Sequence, residues 1–335
     1  MKKVAIFIGT IFLLMAFIPT SSPAAAKYVM KFADSTPKSF SYWPAMEFFK
    51  KDVESKTKGE VEVQIYGDGV LGDQNTCVQS TQMGAIQMVV IPTTISQNMV
   101  REHKITTLPY LFPNWEAFRR LMETPLGQVL NTECEKRGLK VLTWGHTGHP
   151  GIQNSKRDIR VPEDLKGLKI RTMQDPILVD TIQSFGAMAV PMGVGELYSA
   201  VQQGVIDGIT TGPALLYAWK MHELCKHYSQ INNSMSPALV WINLKYWNSL
   251  PKNIQDIMLD SSKKWTEINN AYYLDNSRPT SDVRIFDEMR KVGVNVIFPD
   301  LAPFKEKTKP VFEKYKKEIG ADYVDKVAAF IQSLK

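Results

Sequence analysis

Arg171 is the residue whose setting most clearly suggests chemistry. It ends an apolar strand predicted over residues 168–171, at an edge where a binding crevice is expected. A buried charge without a partner is costly, and the planar guanidinium suits a carboxylate in two-point contact. On these grounds, Arg171 is expected either to bind an anionic ligand or to form an internal salt bridge with an Asp or Glu.

The sequence carries no signature of a common catalytic site. The patterns G-x-S-x-G, H-E-x-x-H, G-x-G-x-x-G and the P-loop are all absent. Asp68 and Asp73 flank glycines, where turn formation explains them better than acid–base catalysis does. We therefore expect a protein that is not an enzyme and that needs no cofactor.

His146 and His149 are the residues that come nearest to a metal-binding pattern. They lie in a loop rich in glycine and proline, without an adjacent cysteine or carboxylate. Metal-binding histidines in short motifs usually share a helix face or have further ligands close by in the chain. No metal is expected, and contact with a ligand is the alternative to two ordinary loop histidines.

Cysteine usage and charge exclude some classes of protein. Cys77, Cys134 and Cys225 are odd in number and widely spaced, so buried thiols and one disulfide among them both stay open. The formal net charge of +6 is spread along the chain without a long basic run. Nucleic-acid binding is therefore not expected, whereas a mildly basic surface attracts anions.

Residues 1–26 have the features of a secretory signal peptide. Lys2 and Lys3 precede an apolar stretch of about 15 residues, which is too short for an ordinary membrane span. Ala24-Ala25-Ala26 then satisfies the small-residue rule for signal peptidase. We expect cleavage after Ala26 and a periplasmic mature protein, with a permanent N-terminal anchor as the alternative.

Strand and helix patterns alternate along the mature chain. Strands are predicted over residues 28–33, 61–65, 85–91, 140–144 and 205–209, among others, with helices of ordinary length between them. This order predicts an α/β fold with parallel sheets, and a long helix is predicted over residues 251–276. Ligands of such folds bind beyond the carboxyl ends of the strands, which marks the segments 92–94, 144–154, 171–175 and 210–213 as pocket loops.

Several short motifs occur together, in an order that resembles a known family. They are Leu71-Gly72-Asp73, Leu108-Pro109-Tyr110, residues 165–171, residues 196–204 with Asp207-Gly208, and Asn243 followed by residues 247–251. In this combination the mature chain is similar to the periplasmic solute-binding proteins of tripartite ATP-independent periplasmic (TRAP) transporters, of the DctP type.

The resemblance implies a two-lobed periplasmic binding protein, similar to type II, with a hinge and a long helix spanning both lobes. We expect lobe I to comprise residues 27–148 and 237–276, and lobe II residues 149–236 and 277–335. It also implies that Arg171 binds the carboxylate of a small organic acid between the lobes. The acid would then be delivered to the integral-membrane subunits of a TRAP transporter, with a ligand sensor docking on a membrane receptor as the alternative.

The chain departs from the sialic-acid-binding members of that family. Their second arginine corresponds to Gly151, a pocket phenylalanine corresponds to Val194, and Ile209-Thr-Thr-Gly-Pro213 replaces their Gln-Glu-Asn-Pro. One arginine fewer favours a monocarboxylate, and tryptophans near the crevice segments, Trp144, Trp219 and Trp241 among them, suggest an aromatic or other bulky apolar body. The expected ligand-binding residues are Ser35, Phe40, Trp43, Gln74, Thr93, Arg171, Gln174, Thr211 and Ser236.

Overall fold

The computed structural model describes residues 26–334. The predicted signal peptide, apart from Ala26, lies outside the described residues. The described strands are β1 (Tyr28–Ala33), β2 (Val61–Tyr66), β3 (Met88–Pro92), β4 (Leu139–Gly145), β5 (Gly151–Asn154), β6 (Lys169–Thr172), β7 (Met188–Pro191), β8 (Gly208–Thr211), β9 (His227–Ser229), β10 (Ala238–Asn243) and β11 (Asn295–Ile297).

The α-helices alternate with these strands for most of the chain and then dominate its last part. They are α1 (Tyr42–Lys56), α2 (Gln74–Met83), α3 (Thr93–Ser96), α4 (Trp115–Met122), α5 (Pro125–Glu135), α6 (Pro176–Ser184), α7 (Leu197–Gln202), α8 (Pro213–Ala218), α9 (Leu244–Ser249), α10 (Lys252–Leu274), α11 (Ile285–Lys291), α12 (Ala302–Ile319) and α13 (Ala321–Ser333). Short 3-10 helices cover Arg101–Thr107, Pro162–Leu165 and Met221–Glu223. Within residues 26–334, no helix combines the length and the apolar character that a membrane span requires.

The strands form two separate sheets, one in each lobe. The first has the order β2-β1-β3-β10-β4, and the second the order β11-β9-β5-β8-β6-β7. Both sheets were expected to be parallel, but each is mixed: β10 runs antiparallel to β3 and β4, and β5 runs antiparallel to β8 and β9. The α/β class is confirmed, whereas the purely parallel arrangement is wrong.

The two antiparallel strands are the ones that follow a passage between the lobes. The chain leaves the first sheet after β4 and enters the second as β5, and it returns from β9 to the first sheet as β10. A strand that enters from the opposite lobe starts at the edge of its sheet that faces the crevice. Neighbouring strands that start at the edge away from the crevice therefore run in the opposite direction. Segments 146–150 and 230–237 are therefore connections that cross between the lobes.

Burial on both faces explains why the central strand β3 is a continuous apolar run. Met88 and Val90 pack in the core under α1 and α10, whereas Val89 and Ile91 pack in the core under α4 and α5. A strand covered on both faces loses the alternation of apolar and polar residues that a half-exposed strand shows. The second lobe has its own smaller core, which includes Ile170 and the residues packed around it.

The long helices after the second crossing pack against the outside of the lobes, and α12 contacts both of them. The long helix α10, close to its predicted bounds, packs against α1 and β4 of the first lobe. Helix α12 contacts α6 of the second lobe and the 3-10 helix Arg101–Thr107 of the first. Helix α13 packs against α4 and α5, whereas the sequence expectation placed it in lobe II; Val327 of α13 enters the same apolar core as Leu130 of α5.

The Asp207-Gly208 pair locks strand β8 into the second sheet. The Asp207 carboxylate accepts a hydrogen bond from the Lys169 amide at 2.9 Å, which fixes β8 beside β6. On the other side, a Cβ added to Gly208 would lie 2.6 Å from both the Gln153 carbonyl oxygen and the Asn154 Cβ atom. Only glycine therefore permits the observed approach of β8 to β5.

We predict that Gly208→Ala destabilises the protein by about 1–3 kcal/mol, the usual cost of forcing extra volume into a packed site. Urea denaturation of the ligand-free mature protein measures this change. Gly193→Ala is the matched control, because its added Cβ meets no heavy atom within 4 Å. Equal stability of the two variants would contradict this account of β8.

Candidate functional site

Strand β6 positions Arg171 at the crevice between the lobes. β6 pairs with β7 on one side and β8 on the other, so its backbone is fixed from both edges. Ile170 points into the core of the second lobe, and the strand pleat turns the next side chain, Arg171, to the opposite face. The arginine is only 1% exposed.

One backbone carbonyl holds the guanidinium of Arg171. Nε and Nη2 donate to the Met192 carbonyl oxygen at 2.9 and 2.8 Å. The Met192 amide in turn donates to the Thr172 carbonyl at 3.2 Å, so the loop after β7 is tied to the strand that carries the arginine. The orientation of the guanidinium is therefore set by the backbone.

The charge of Arg171 is not neutralised within the protein. Among residues 26–334 the guanidinium forms no ion pair with a carboxylate, and its Nη1 atom is buried without a hydrogen-bond partner. Burial lowers the pKa of Arg171 to about 10, so the group stays charged at neutral pH. The internal salt bridge that the sequence left open is thus not formed by the described residues.

Two adjoining chambers occupy the crevice. The one that includes Arg171, called the arginine chamber here, has a volume of about 340 Å³. Residues from both lobes line it: Ser35, Asp68, Gly69, Gly72, Asp73, Gln74, Asn75 and Ile95 on one side, and Arg171, Met173, Gln174, Met192, Gly193, Val194 and Gly195 on the other.

The second chamber, called the aromatic chamber, has a volume of about 70 Å³. Phe40, Tyr42 and Trp219 line it together with aliphatic residues and with Thr36, Thr147, Thr210, Thr211, Ser234 and Ser236. Gln74, Met173 and Val194 line both chambers. A ligand anchored at Arg171 can therefore extend past these three residues towards the aromatic rings.

Most of the side chains that the sequence suggested lie at the two chambers. Ser35, Arg171 and Gln174 line the arginine chamber, Gln74 lines both, and Phe40, Thr211 and Ser236 line the aromatic chamber. Two contacts join the lobes beside them. The Asn75 side-chain amide donates to Gln174 at 3.5 Å, and the Thr94 hydroxyl donates to the Met173 sulfur at 3.0 Å.

Thr93 and Trp43 lie at neither chamber. Thr93 is fully buried, and its hydroxyl accepts a hydrogen bond from Thr106 at 2.7 Å, one layer behind Ser236. Trp43 packs over Gly67, with the Lys38 ammonium 4.9 Å from its ring centroid. Trp144 and Trp241, also considered from the sequence, are buried in the core, so Trp219 is the tryptophan that reaches the crevice.

The sequence reasoning did not select Tyr42, Met173 or Met192. Met173 follows directly on the strand that carries Arg171, so its position in a pocket loop was a usable signal. Gly193 and Gly195 were another signal of a pocket loop, because glycine allows the backbone to approach a ligand closely. In the structure, a Cβ added at either position meets no heavy atom within 4 Å. Nothing in the sequence pattern indicated that the Met192 carbonyl would accept from Arg171.

Arg171 is the one basic residue among the described residues that line the chambers. Asp68 and Asp73 line the arginine chamber, and hydrogen bonds from Thr76 hold the pKa of Asp73 below its usual range. Burial raises the pKa of Asp34 to about 7, even though Thr36 donates two hydrogen bonds to its carboxylate. The lining of the two chambers thus contains two aspartates and no basic residue besides Arg171, and Lys38, outside the lining, pairs with Asp68 at 3.4 Å.

The position that corresponds to a second arginine cannot hold a side chain. Gly151 starts β5, and a Cβ added there would overlap the Tyr228 hydroxyl and crowd the Ser229 carbonyl oxygen. Tyr228 is fully buried and donates to Gln230. A basic side chain at residue 151 would therefore have to displace a packed tyrosine.

The chamber walls contain no cysteine or histidine among the described residues. All three cysteines are buried and free, so no disulfide joins them. His146 and His149 lie beside the aromatic chamber, next to Thr147, Gly148 and Pro150, which line it. Burial and the neighbouring His146 lower the pKa of His149 to about 4.

The chain is similar to one family of bacterial proteins over most of its length. A family model described as bacterial extracellular solute-binding protein, family 7 (DctP), matches residues 32–318. A solute-binding protein of Verminephrobacter eiseniae is 30% identical over 305 residues, which cover 91% of this chain and 90% of the relative.

Solved structures of TRAP periplasmic solute-binding proteins are similar over nearly their full length. One from Ralstonia eutropha, with bound (S)-2-acetolactate, has a TM-score of 0.85 and 27% identity, covering 91% of this chain and 99% of that chain. Another, from a Polaromonas species with bound D-erythronate, has a TM-score of 0.83 and 27% identity, covering 90% and 98%.

We predict that Arg171→Met leaves the stability of the ligand-free protein unchanged or raises it. The substitution removes a buried cation that no carboxylate among the described residues neutralises, and this gain offsets the loss of the two hydrogen bonds to the Met192 carbonyl. Urea denaturation after removal of bound ligand measures the difference. A loss of more than about 2 kcal/mol would show that Arg171 mainly supports the fold.

Proposed function

The chain belongs to the bacterial extracellular solute-binding proteins of family 7, and from this premise we propose that it binds one small monocarboxylate through Arg171. It is a periplasmic solute-binding protein of the TRAP type that binds small organic acids, and it is not an enzyme. The proposal concerns which acid fits, which residues bind it, and delivery of that acid to TRAP membrane subunits. Export directed by residues 1–26, followed by cleavage after Ala26, is also part of this proposal.

The observation that carries the proposal is the free guanidinium edge of Arg171. Two of its nitrogens are held by the Met192 carbonyl, and Nη1 is buried without a partner among the described residues. Removing a cation from water is costly unless an anion approaches it. A ligand carboxylate in the arginine chamber supplies that anion, and Gln174 and Asn75 at the same chamber can bind its polar groups.

A single carboxylate fits this site better than two. A second ligand carboxylate in the arginine chamber would meet Asp68 and Asp73, and the described residues that line the two chambers include no second basic residue. Like charges within one chamber repel each other, and the low dielectric constant of the crevice strengthens the repulsion. The packed Tyr228 behind Gly151 removes the position from which another arginine could act.

The aromatic chamber suits a compact ligand body with an apolar face. Phe40, Tyr42 and Trp219 supply that face, while the surrounding threonine and serine hydroxyls can bind one or two polar substituents. Acetolactate and erythronate, the acids bound in the two similar structures, each carry one carboxylate and small polar substituents. We therefore place a small substituted monocarboxylate first, and an aryl-substituted acid is the bulkier variant of the same proposal.

Loss of the arginine should abolish most of the affinity. Truncating one partner of a buried charged pair costs about 2–5 kcal/mol, so Arg171→Ala should weaken binding by roughly thirty- to several-thousand-fold. Arg171→Lys keeps the charge without the two-point geometry and should recover only part of the loss. The acid is first identified by native mass spectrometry of the purified protein, and affinities are then measured by calorimetry.

The control for this experiment is Arg160→Ala, which removes the same charge from a side chain that is 67% exposed and paired with Asp158. This variant should bind like the wild type. If Arg171→Ala binds within about threefold of the wild type while remaining folded, a charged pair worth more than 1 kcal/mol is absent and the proposed site is wrong.

Matched acids should separate a monocarboxylate site from a dicarboxylate site. We predict that succinate binds no better than butyrate, and malate no better than 2-hydroxybutyrate, because no second basic residue among the described residues lines the chambers to receive the added carboxylate. Calorimetric titration of each pair at one pH and ionic strength measures the difference. A dicarboxylate that binds ten times more tightly than its monocarboxylate partner would contradict the assignment.

A further inference from the structure

Two histidines and an aspartate meet where the chain crosses between the lobes. His146 follows β4 of the first sheet, His149 precedes β5 of the second, and Asp282 lies between α10 and α11. A ring nitrogen of each histidine and a carboxylate oxygen of Asp282 lie within 4.8 Å of one another. Within residues 26–334, no other group of His, Cys, Asp and Glu side chains meets this condition.

We propose that His146, His149 and Asp282 bind a divalent transition-metal ion. Two imidazoles and one carboxylate form a donor set that suits Zn²⁺, Co²⁺ or Ni²⁺ and leaves coordination positions open for water. The His146 Nε2 atom is already 3.0 Å from Asp282 Oδ2, close to the spacing of two ligands on one ion.

The backbone around these side chains is fixed before any ion binds. The His146 amide donates to the Asn270 side chain at 2.8 Å, and the Asn269 side chain donates to the His146 carbonyl at 2.9 Å. The Asp282 amide donates to the Tyr273 carbonyl at 2.7 Å. The end of α10 therefore holds two of the three ligands, and a prearranged donor set is what tight metal binding requires.

One polar atom of these three side chains is buried without a hydrogen-bond partner among the described residues. His146 is 1% exposed, and its Nδ1 atom has no hydrogen-bond partner among the described residues. His149 and Asp282 are only partly buried, so an ion can reach the site from solvent. The Asp282 Oδ1 atom lies 3.5 Å from the ideal Cβ position of Gly148, which places the carboxylate directly beside the loop that joins the two histidines.

The site is separate from the acid-binding chambers but close to them. None of the three ligands lines either chamber, whereas Thr147, Gly148 and Pro150 of the same loop line the aromatic chamber. An ion would tie the first crossing segment, residues 146–150, to the segment that follows α10. The proposal does not depend on which acid the protein carries, and it can fail while the acid site stands.

The test is a calorimetric titration of Zn²⁺ into the full mature protein, produced without a histidine tag and stripped with a chelator. We expect one ion per chain with a dissociation constant in the micromolar range or below. His149→Ala and Asp282→Asn should each weaken binding by about 100-fold or more, since even the loss of a residue that only orients a ligand costs about 10–100-fold. Excess Mg²⁺ should not compete, because it prefers oxygen ligands.

His227→Ala is the matched control. His227 also pairs with an aspartate, but among the described residues no further histidine joins that pair to form a three-ligand group. His227 Nδ1 lies 2.8 Å from Asp158 Oδ1, and this pair should contribute nothing to Zn²⁺ binding. Circular dichroism and thermal melts without metal show whether each variant is folded. Co²⁺ should give visible d–d absorption in the wild type and in His227→Ala, and this absorption should be lost in His149→Ala.

The proposal is wrong if the wild type shows no saturable Zn²⁺ binding, or if His149→Ala binds Zn²⁺ as tightly as the wild type. It is also wrong if His227→Ala removes the binding instead. Zn²⁺ should raise the melting temperature of the wild type by mass action and leave that of folded His149→Ala unchanged, which is a readout independent of the affinity measurement.

Discussion

The guanidinium of Arg171 is buried without a carboxylate partner among residues 26–334, and strand β6 and the loop after β7 hold it in place. A charge removed from water must be stabilised by other dipoles or by a ligand. Strand β6 fixes the backbone of the arginine from both edges, and the loop after β7 brings the Met192 carbonyl against two of its nitrogens. The third nitrogen, Nη1, has no partner among the described residues, and this is the feature on which the proposed carboxylate binding rests.

The same constraint accounts for the position of the site between two lobes. A carboxylate at Arg171 touches only the second lobe, whereas Gln74, Asn75 and Ser35 approach the arginine chamber from the first. Contacts such as Asn75 to Gln174 exist only when the lobes are close. The arginine chamber therefore needs a wall from each lobe. One of the crossing segments, residues 146–150, includes His146 and His149.

The two mixed sheets follow from these crossings. Alternation of strands and helices predicted parallel sheets correctly for most neighbours, such as β1 with β2 and β6 with β7. It could not predict the direction of β5 and β10, because each enters its sheet from the opposite lobe. The packing of α13 against the first lobe was likewise outside the reach of local pattern, since an amphipathic helix indicates that one face is buried but not which partner covers it.

The sequence by itself determined the α/β class, the long helix α10, the family and the position of Arg171 at the end of an apolar strand. These depend on local patterns: periodicity, short motifs, and a charge that ends an apolar strand. Tertiary structure decided that Trp219 reaches the crevice while Trp241 does not, that Tyr228 fills the space beside Gly151, and that Asp282 meets His146. Each of these outcomes depends on distances between segments far apart in the chain, and such distances are set only when the chain folds and these segments pack together.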